Sequence, residues 1–197
     1  PTLQTVGAET KRLLLPLLII VALMWLVEIV DRLLFQGALD GLGILPRQIA
    51  GLRGIPIAPL LHGSFAHLVA NTLPFLALGF LVMLRHSRQF VAASLIIILI
   101  SGLGTWLIAP AYTVHIGASG LIFGYFAFLL VAAYYERSPR AIGLALMVIL
   151  FYGGLVWGAL PQAGPISWQG HLFGLVGGAV AARALAPRPL RIRIDPS

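Results

Sequence analysis

The sequence of 197 residues contains no cysteine and few charged residues. The absence of cysteine excludes a disulfide framework, a thiolate nucleophile and a cysteine-based metal site, and it leaves the redox compartment open. Charged residues make up only 10% of the chain, whereas 59% is hydrophobic and the mean hydropathy is +0.98. Soluble domains carry about 25% charged residues. We therefore expect an integral membrane protein.

The hydrophobic residues fall into six runs, each long enough for a membrane-spanning helix of about 17–25 residues. The predicted spans lie near residues 13–30, 66–84, 90–108, 114–134, 141–159 and 168–186. The predicted fold is therefore all-α, a polytopic bundle of six transmembrane helices that forms a single domain over residues 1–197. Because the runs recur along the chain, none of them is interpreted as a lone cleavable signal peptide.

Positive charge dominates the connections on one side of the predicted bundle. The net charge is +7, yet the basic residues do not gather into an aromatic-flanked patch, so nucleic acid is not an expected partner. If the spans alternate, ten of the thirteen Lys and Arg residues lie on one side, and Arg32, Arg47 and Arg53 lie on the other. The positive-inside rule then places both termini in the cytoplasm, including a short basic tail at 187–197.

The first external connection, roughly residues 31–65, is much longer than the others. It contains six glycines and three prolines among leucine and isoleucine, so it cannot form one continuous helix. It is also too apolar for a freely solvated linker. We expect a long, compact loop that is partly embedded in the headgroup region of the bilayer.

A few polar side chains interrupt the predicted spans, where they are costly and often functional. His67 and Asn71 lie one helical turn apart on the second span, Ser119 lies near the start of the fourth, and His171 lies near the start of the sixth. Alternating topology runs these three spans in one direction, so the four residues share one depth near the outer surface. By contrast, His86 and His115 are interpreted as loop residues.

Glycines at four-residue spacing accompany Ser119 and His171. They are Gly120 and Gly124 on the fourth span and Gly170, Gly174 and Gly178 on the sixth. Small residues at this spacing let two helix backbones approach closely. Such contact would bring the Ser119 hydroxyl within hydrogen-bond distance of the His171 imidazole, the minimal arrangement for an activated serine. Taken singly, each feature has another explanation, because glycines can serve packing alone and polar side chains can join helices by hydrogen bonds.

Other catalytic chemistries lack their residues. The chain has no H-E-x-x-H zinc motif, no glycine-rich nucleotide loop and no carboxylate placed in sequence to complete a histidine metal site, so we expect neither a metal nor a cofactor. Asp31, Asp40 and Asp195 fall outside the spans, which excludes a buried aspartic dyad. Glu28 and Asp31, one helical turn apart, are interpreted as an interface pair with Arg32 rather than as a proton relay.

Three motifs together resemble the rhomboid family of intramembrane serine proteases. They are HGSFAHLVANTL, which begins at His62, GASGLIFG over residues 117–124, and GHLFGLVGG over residues 170–178. Their order and their places on the second, fourth and sixth spans are similar to the compact prokaryotic form over nearly the whole chain. One departure lies in the first loop, where the family commonly has a Trp-Arg pair and this chain has Leu52 before Arg53.

The resemblance implies a role for each site residue. Ser119 would be the nucleophile and His171 its general base, without a third, acidic member. His67, Asn71 and the backbone N–H of Ser119 would stabilise the oxyanion of the tetrahedral intermediate. The other motif positions would support this site, with Phe123 under the catalytic imidazole; they are Gly117, Gly120, Phe123, Gly170, Gly174 and His62.

The activity implied by the resemblance is cleavage of transmembrane protein substrates near the external face of a prokaryotic inner membrane. The expected partners are such substrates and the lipid bilayer, and the oligomeric state is left open. Two alternatives are a non-catalytic rhomboid-like protein that binds membrane helices and a membrane serine hydrolase that acts on lipid esters. The first would not need both Ser119 and His171, whereas the second would use the same pair. A transporter or channel is disfavoured because the inner halves of the spans are nearly devoid of ionisable groups.

Overall fold

A computed structural model describes residues 3–162, 164 and 166–186 of the chain, with side chains from residue 7 onward. This part of the chain forms helices and turns without a β-strand, and its one extended contact is an isolated antiparallel bridge between Ile44 and His115. The all-α prediction is confirmed for the described residues. The predicted basic tail at 187–197 lies outside them.

Eight α-helices follow one another along the described residues. They are α1 (Leu3–Val30), α2 (Gly54–Ile57), α3 (Phe65–His86), α4 (Phe90–Ile108), α5 (Ser119–Glu136), α6 (Pro139–Tyr152), α7 (Leu155–Gly158) and α8 (Trp168–Leu185). Four segments are long and apolar enough to cross a membrane, namely Gly7–Phe35, Phe65–His86, Phe90–Ile108 and Ser119–Glu136. These helices indicate a membrane protein.

The helices do not begin and end at the predicted span boundaries. The first helix begins at Leu3 rather than near residue 13, because the good helix formers before the apolar run extend it. The fourth begins at Ser119 rather than near residue 114, because Gly117 has a φ of +110° and cannot continue a helix backwards. His86 is the last residue of α3 and not a loop residue.

The last two predicted spans differ most from the four apolar helices. The region 141–159 is divided into α6 and α7 at Gly153 and Gly154, and α6 alone has only 14 residues. Helix α8 has 18 residues but includes Gln169, His171 and Arg183, which lower its hydropathy. The six-span arrangement therefore stays a prediction.

The long connection between α1 and α3 is built from short helical turns. A π-helical turn continues α1, and three 3-10 turns and α2 follow before α3 begins. Ile44, Ile55 and Ala58 bury their side chains here and pack against Ile98 and Trp106 of α4. The connection is thus an ordered part of the fold, and its embedding in the bilayer stays a prediction.

Helix α5 forms the centre of the bundle. Eleven of its 18 residues are buried, and it packs most extensively against α8. A Cβ atom at Gly174 would collide with the carbonyl oxygen of Gly120, and one at Gly178 would collide with that of Gly124. The two backbones are therefore in direct contact, which is the close approach that the glycine spacing predicts.

Candidate active site

Ser119 is the first residue of α5, and Gly117 shapes the turn that leads to it. Gly117 has a φ of +110°, in the left-handed region that favours glycine. A Cβ atom here would lie 2.7 Å from the His67 ring, and the Gly117 N–H donates to the carbonyl oxygen of Ala58 at 2.9 Å. The turn passes close to His67 and leaves Ser119 at a helix N-terminus, where backbone N–H groups lack intrahelical acceptors.

His171 faces Ser119 from the first turn of α8. Its Nε2 atom lies 2.8 Å from Ser119 Oγ, and its Nδ1 atom lies 2.8 Å from the carbonyl oxygen of Gly158. A carbonyl oxygen can only accept, so Nδ1 of the neutral imidazole carries the proton and Nε2 accepts from the serine hydroxyl. This hydrogen-bonded pair can act as a nucleophile and its general base.

Phe123 and Gly158 hold the imidazole of His171 in place. Phe123 lies one helical turn after Ser119 on α5, and its ring stacks on the imidazole with centroids 4.0 Å apart and an angle of 11° between the planes. A Cβ atom at Gly158 would lie 3.1 Å from Phe123 Cζ and 3.4 Å from His171 Nδ1. The ring therefore has little room to rotate away from Ser119.

The glycines Gly120 and Gly170 bring α4 into the same contact. The Ser101 hydroxyl of α4 donates to the carbonyl oxygen of Gly170 at 3.1 Å. A Cβ atom at Gly120 would collide with Ser101 Oγ. Since these positions adjoin Ser119 and His171 in sequence, the packing of three helices fixes the separation of the hydroxyl and the imidazole.

The two predicted oxyanion residues lie on α3 beside the same cleft. His67 and Asn71 line an open cleft of about 1030 Å³ together with Ser119, Phe123 and His171. The Asn71 side-chain nitrogen donates to the carbonyl oxygen of His67 at 3.0 Å. The same nitrogen would lie 3.8 Å from a Cβ atom at Gly117. An amide nitrogen has two hydrogens, so Asn71 retains one N–H for a ligand in the cleft.

His62 is completely buried and contacts His67. The two rings meet edge to face, with centroids 5.0 Å apart and 63° between their planes. Burial, the largest influence, lowers the pKa of His62 to about 4, so this imidazole is neutral at physiological pH. It can support the position of His67 without adding a positive charge beside it.

Sequence analysis missed three contributors to this region. They are the Gly158 carbonyl, the Ser101 hydroxyl, and the pair formed by His115 and Ser167, whose Nδ1 and Oγ atoms lie 2.7 Å apart. One signal was present in the sequence for the last pair. His115 precedes Ser119 by four residues and Ser167 precedes His171 by four, so both pairs are separated by 52 positions.

A second buried polar group lies where α1 enters the first loop. Arg32 Nε donates to Glu28 at 2.8 Å, and Arg32 Nη2 lies 3.4 Å from Asp40. Asp31 accepts from the backbone N–H of Leu39 at 2.9 Å. The predicted interface pair is therefore a larger acidic cluster, because the loop folds back and adds Asp40. Burial is the main reason why the pKa of Asp40 rises to about 6.

No group of three or more His, Cys, Asp or Glu side chains in the described part of the chain could hold a metal ion. The polar side chains that line the cleft include those of Ser119, His171, His67 and Asn71.

Several known proteins are similar in sequence to most of this chain. The Rhomboid domain model matches residues 52–188. The uncharacterized protein Rv1337 of Mycobacterium tuberculosis is 49% identical, over 94% of this chain and 81% of that protein. The uncharacterized protein ML1171 of Mycobacterium leprae is 42% identical over 86% and 70%. The "Putative rhomboid protease YdcA" of Bacillus subtilis is 31% identical over 60% of each chain. This chain belongs to the rhomboid family, and that membership suggests an intramembrane serine protease.

Proposed function

We propose that this protein is an intramembrane serine endopeptidase that cleaves transmembrane protein substrates near the external face of the bilayer. The observation that carries the proposal is the chain of hydrogen bonds from Ser119 through His171 to the Gly158 carbonyl, with 2.8 Å at each step. The cleft beside it is open, and its volume of about 1030 Å³ lies at the upper end of the range for ligand pockets.

The reaction begins with proton transfer from Ser119 Oγ to His171 Nε2 while Oγ bonds to the carbonyl carbon of the substrate. The imidazolium that forms keeps its Nδ1–H on the Gly158 carbonyl, a neutral acceptor where a triad has a carboxylate. His171 then gives the proton to the leaving amine, and an acyl-enzyme remains on Ser119. Water, deprotonated by the same imidazole, hydrolyses this ester and restores the serine.

Three groups stabilise the oxyanion in this proposal. The Ser119 backbone N–H lies at the start of α5, where the helix dipole favours negative charge. His67 and the second N–H of Asn71 contribute from α3, on the cleft wall. A donor array of this kind supplies several kcal/mol of transition-state stabilisation, which gives these polar side chains a function despite the cost of placing them in a membrane helix.

We further infer that six segments cross the inner membrane, with both termini in the cytoplasm. Four are the apolar helices, and we assign α6 with α7 and α8 as the fifth and sixth. Helix α8 tolerates polar residues because Gln169 and His171 are buried within the protein, and because it packs against α4 and α5. A helix surrounded by protein needs less hydropathy than one facing lipid.

The test is cleavage of a tagged single-span protein by the purified protein in lipid vesicles. We expect wild type to cut the substrate, and Ser119→Ala and His171→Ala to fold without cutting it. Ser138→Ala, at the start of α6, is a matched control that should cut like wild type. Cutting by the Ser119→Ala variant would contradict the proposal. Hydrolysis of a lipid ester in place of the peptide would favour a lipid hydrolase.

A further inference from the structure

Ser167, the residue before α8, does not cap that helix with its side chain. Ser64 and Ser138 occupy the same position before α3 and α6, and each hydroxyl accepts from a backbone N–H three residues later at 3.1 Å. This is the usual role of an N-cap serine. Ser167 makes no such bond, and its Oγ lies instead 2.7 Å from Nδ1 of His115. The hydroxyl therefore bonds to a partner outside its own helix.

The neighbouring hydrogen bonds determine the direction of this contact. Thr113 Oγ1 donates to the carbonyl oxygen of Pro110 at 2.7 Å, so its only hydrogen is used. The same oxygen lies 2.8 Å from His115 Nε2 and must accept from it. In neutral imidazole Nδ1 is then the acceptor, and Ser167 donates to it. Burial lowers the pKa of His115, which favours this neutral form.

Backbone hydrogen bonds hold both partners close to the reacting groups. The backbone N–H and carbonyl of His115 pair with those of Ile44, each at 3.0 Å. The backbone N–H of His171 donates to the carbonyl oxygen of Ser167 at 3.2 Å. The bond between His115 and Ser167 thus joins the turn before Ser119 to the start of α8 before His171.

We propose that His115 and Ser167 are a positioning pair that sets the separation of Ser119 and His171. The proposal rests on the proposed protease function of those two residues. On α8 the closest backbone contacts with α5 begin at Gly174, about one helical turn beyond His171. Ser119 and His171 themselves lie in first turns that follow loops. A displacement of about 1 Å at a reacting group can cost roughly 10²-fold in rate, so a link at this end controls the reaction.

The kinetic test compares Ser167→Ala, His115→Asn and the double variant. We expect each single variant to lower kcat roughly tenfold with little change in KM, and the double variant to be no slower, because one interaction is lost in all three. Ser167→Thr keeps the hydroxyl and should restore most of the rate. Ser138→Ala removes a true cap, so it should lower the melting temperature while leaving kcat unchanged.

A second measurement does not depend on cleavage. Nitrogen NMR of the histidine side chains should show that Ser167→Ala shifts both the His115 Nδ1 signal and the His171 Nε2 signal, whereas Ser138→Ala shifts neither. If Ser119→Ala cut like wild type, the protease proposal would fail, and this coupling would still report on the pair. An unchanged kcat with an unchanged His171 signal in Ser167→Ala would overturn the positioning role, as would single effects that multiply in the double variant.

Discussion

Two buried polar regions of this protein are built in opposite ways. The reacting groups between α5 and α8 are neutral, and Ser119 and His171 each have a hydrogen-bond partner. The acidic cluster at the end of α1 gathers three carboxyl groups around the Arg32 guanidinium. Among the described residues, Glu28, Asp31 and Asp40 each leave one buried carboxylate oxygen without a hydrogen-bond partner.

The difference shows how each region obtains its geometry. Backbone contacts between glycines fix the first region, and such contacts are rigid because interiors are close-packed. Ion pairs of Arg32 organise the second, and these depend on charges whose desolvation is costly. We therefore expect changes in the first region to affect the reaction, and changes in the second to affect stability.

The largest expected effect comes from removing the reacting groups. Ser119→Ala and His171→Ala should each lower the cleavage rate by at least about 10³-fold, and the double variant should be no slower because the two residues act as a unit. Neither change should move the melting temperature by more than a few degrees. Single-turnover kinetics in vesicles measure the rates. Effects of the two single variants that multiply would contradict a shared step.

A slightly smaller effect is expected from separating α5 and α8. The added Cβ of Gly174→Ala would collide with the Gly120 carbonyl, so the helices must move apart, and a shift of about 1 Å should cost roughly 10²-fold in kcat. Gly143→Ala on α6 is the matched control, because nothing lies within 4 Å of a Cβ there. The control should keep full activity. Equal activity of the two variants would show that the backbone contact does not position the site.

Removal of the Arg32 guanidinium from the acidic cluster should lower the stability of the protein. Arg32→Ala leaves the fully buried Glu28 without its ion pair, and we expect a loss of about 2–3 kcal/mol, below the range for completely buried pairs because Arg32 is partly exposed. The kcat of the folded protein should change less than about threefold, the scale of ordinary surface effects. Thermal unfolding in detergent measures the first quantity, with the exposed Arg140→Ala as control. A large fall in kcat would show that the acidic cluster also affects the reaction, contrary to this expectation.

The smallest effect is a pH dependence from Asp40, whose pKa is raised to about 6 mainly by burial. The folded protein binds this proton more tightly than the unfolded chain, so stability falls as the pH rises from about 4 to about 6. The Asp40→Asn variant has no titrating group at this position, so its stability should fall less over this pH range. We expect the melting temperatures of the two proteins to diverge by roughly 2–4 °C, about 1 kcal/mol for a chain of this size. Parallel curves would contradict the raised pKa of Asp40.

The sequence predicted contacts that follow from helix periodicity. The glycines on the fourth and sixth predicted spans recur every four residues, so a contact of their faces brings Ser119 next to His171 without knowledge of any loop. The first helix was harder to delimit, because good helix formers continue it past the apolar run to Leu3. The break at Gly153 was missed because apolar residues continue on both sides of it.

Contacts made by loops could not be predicted in this way. Asp40 reaches Arg32 only because the first connection folds back through short helical turns. The Gly158 carbonyl reaches His171 because α6 ends early and α7 follows it. The Ser167 hydroxyl bonds to His115 rather than to its own helix, and N-cap propensity alone predicts the opposite.

The most direct test of the Ser119–His171 assignment is covalent labelling with a fluorophosphonate, followed by mass spectrometry of the modified peptide. The account predicts that the label lies on Ser119 in wild type, that His171→Ala abolishes labelling, and that Ser167→Ala slows it without moving it. A label on another serine, or undiminished labelling in the His171→Ala variant, would show that Ser119 is not a nucleophile activated by His171.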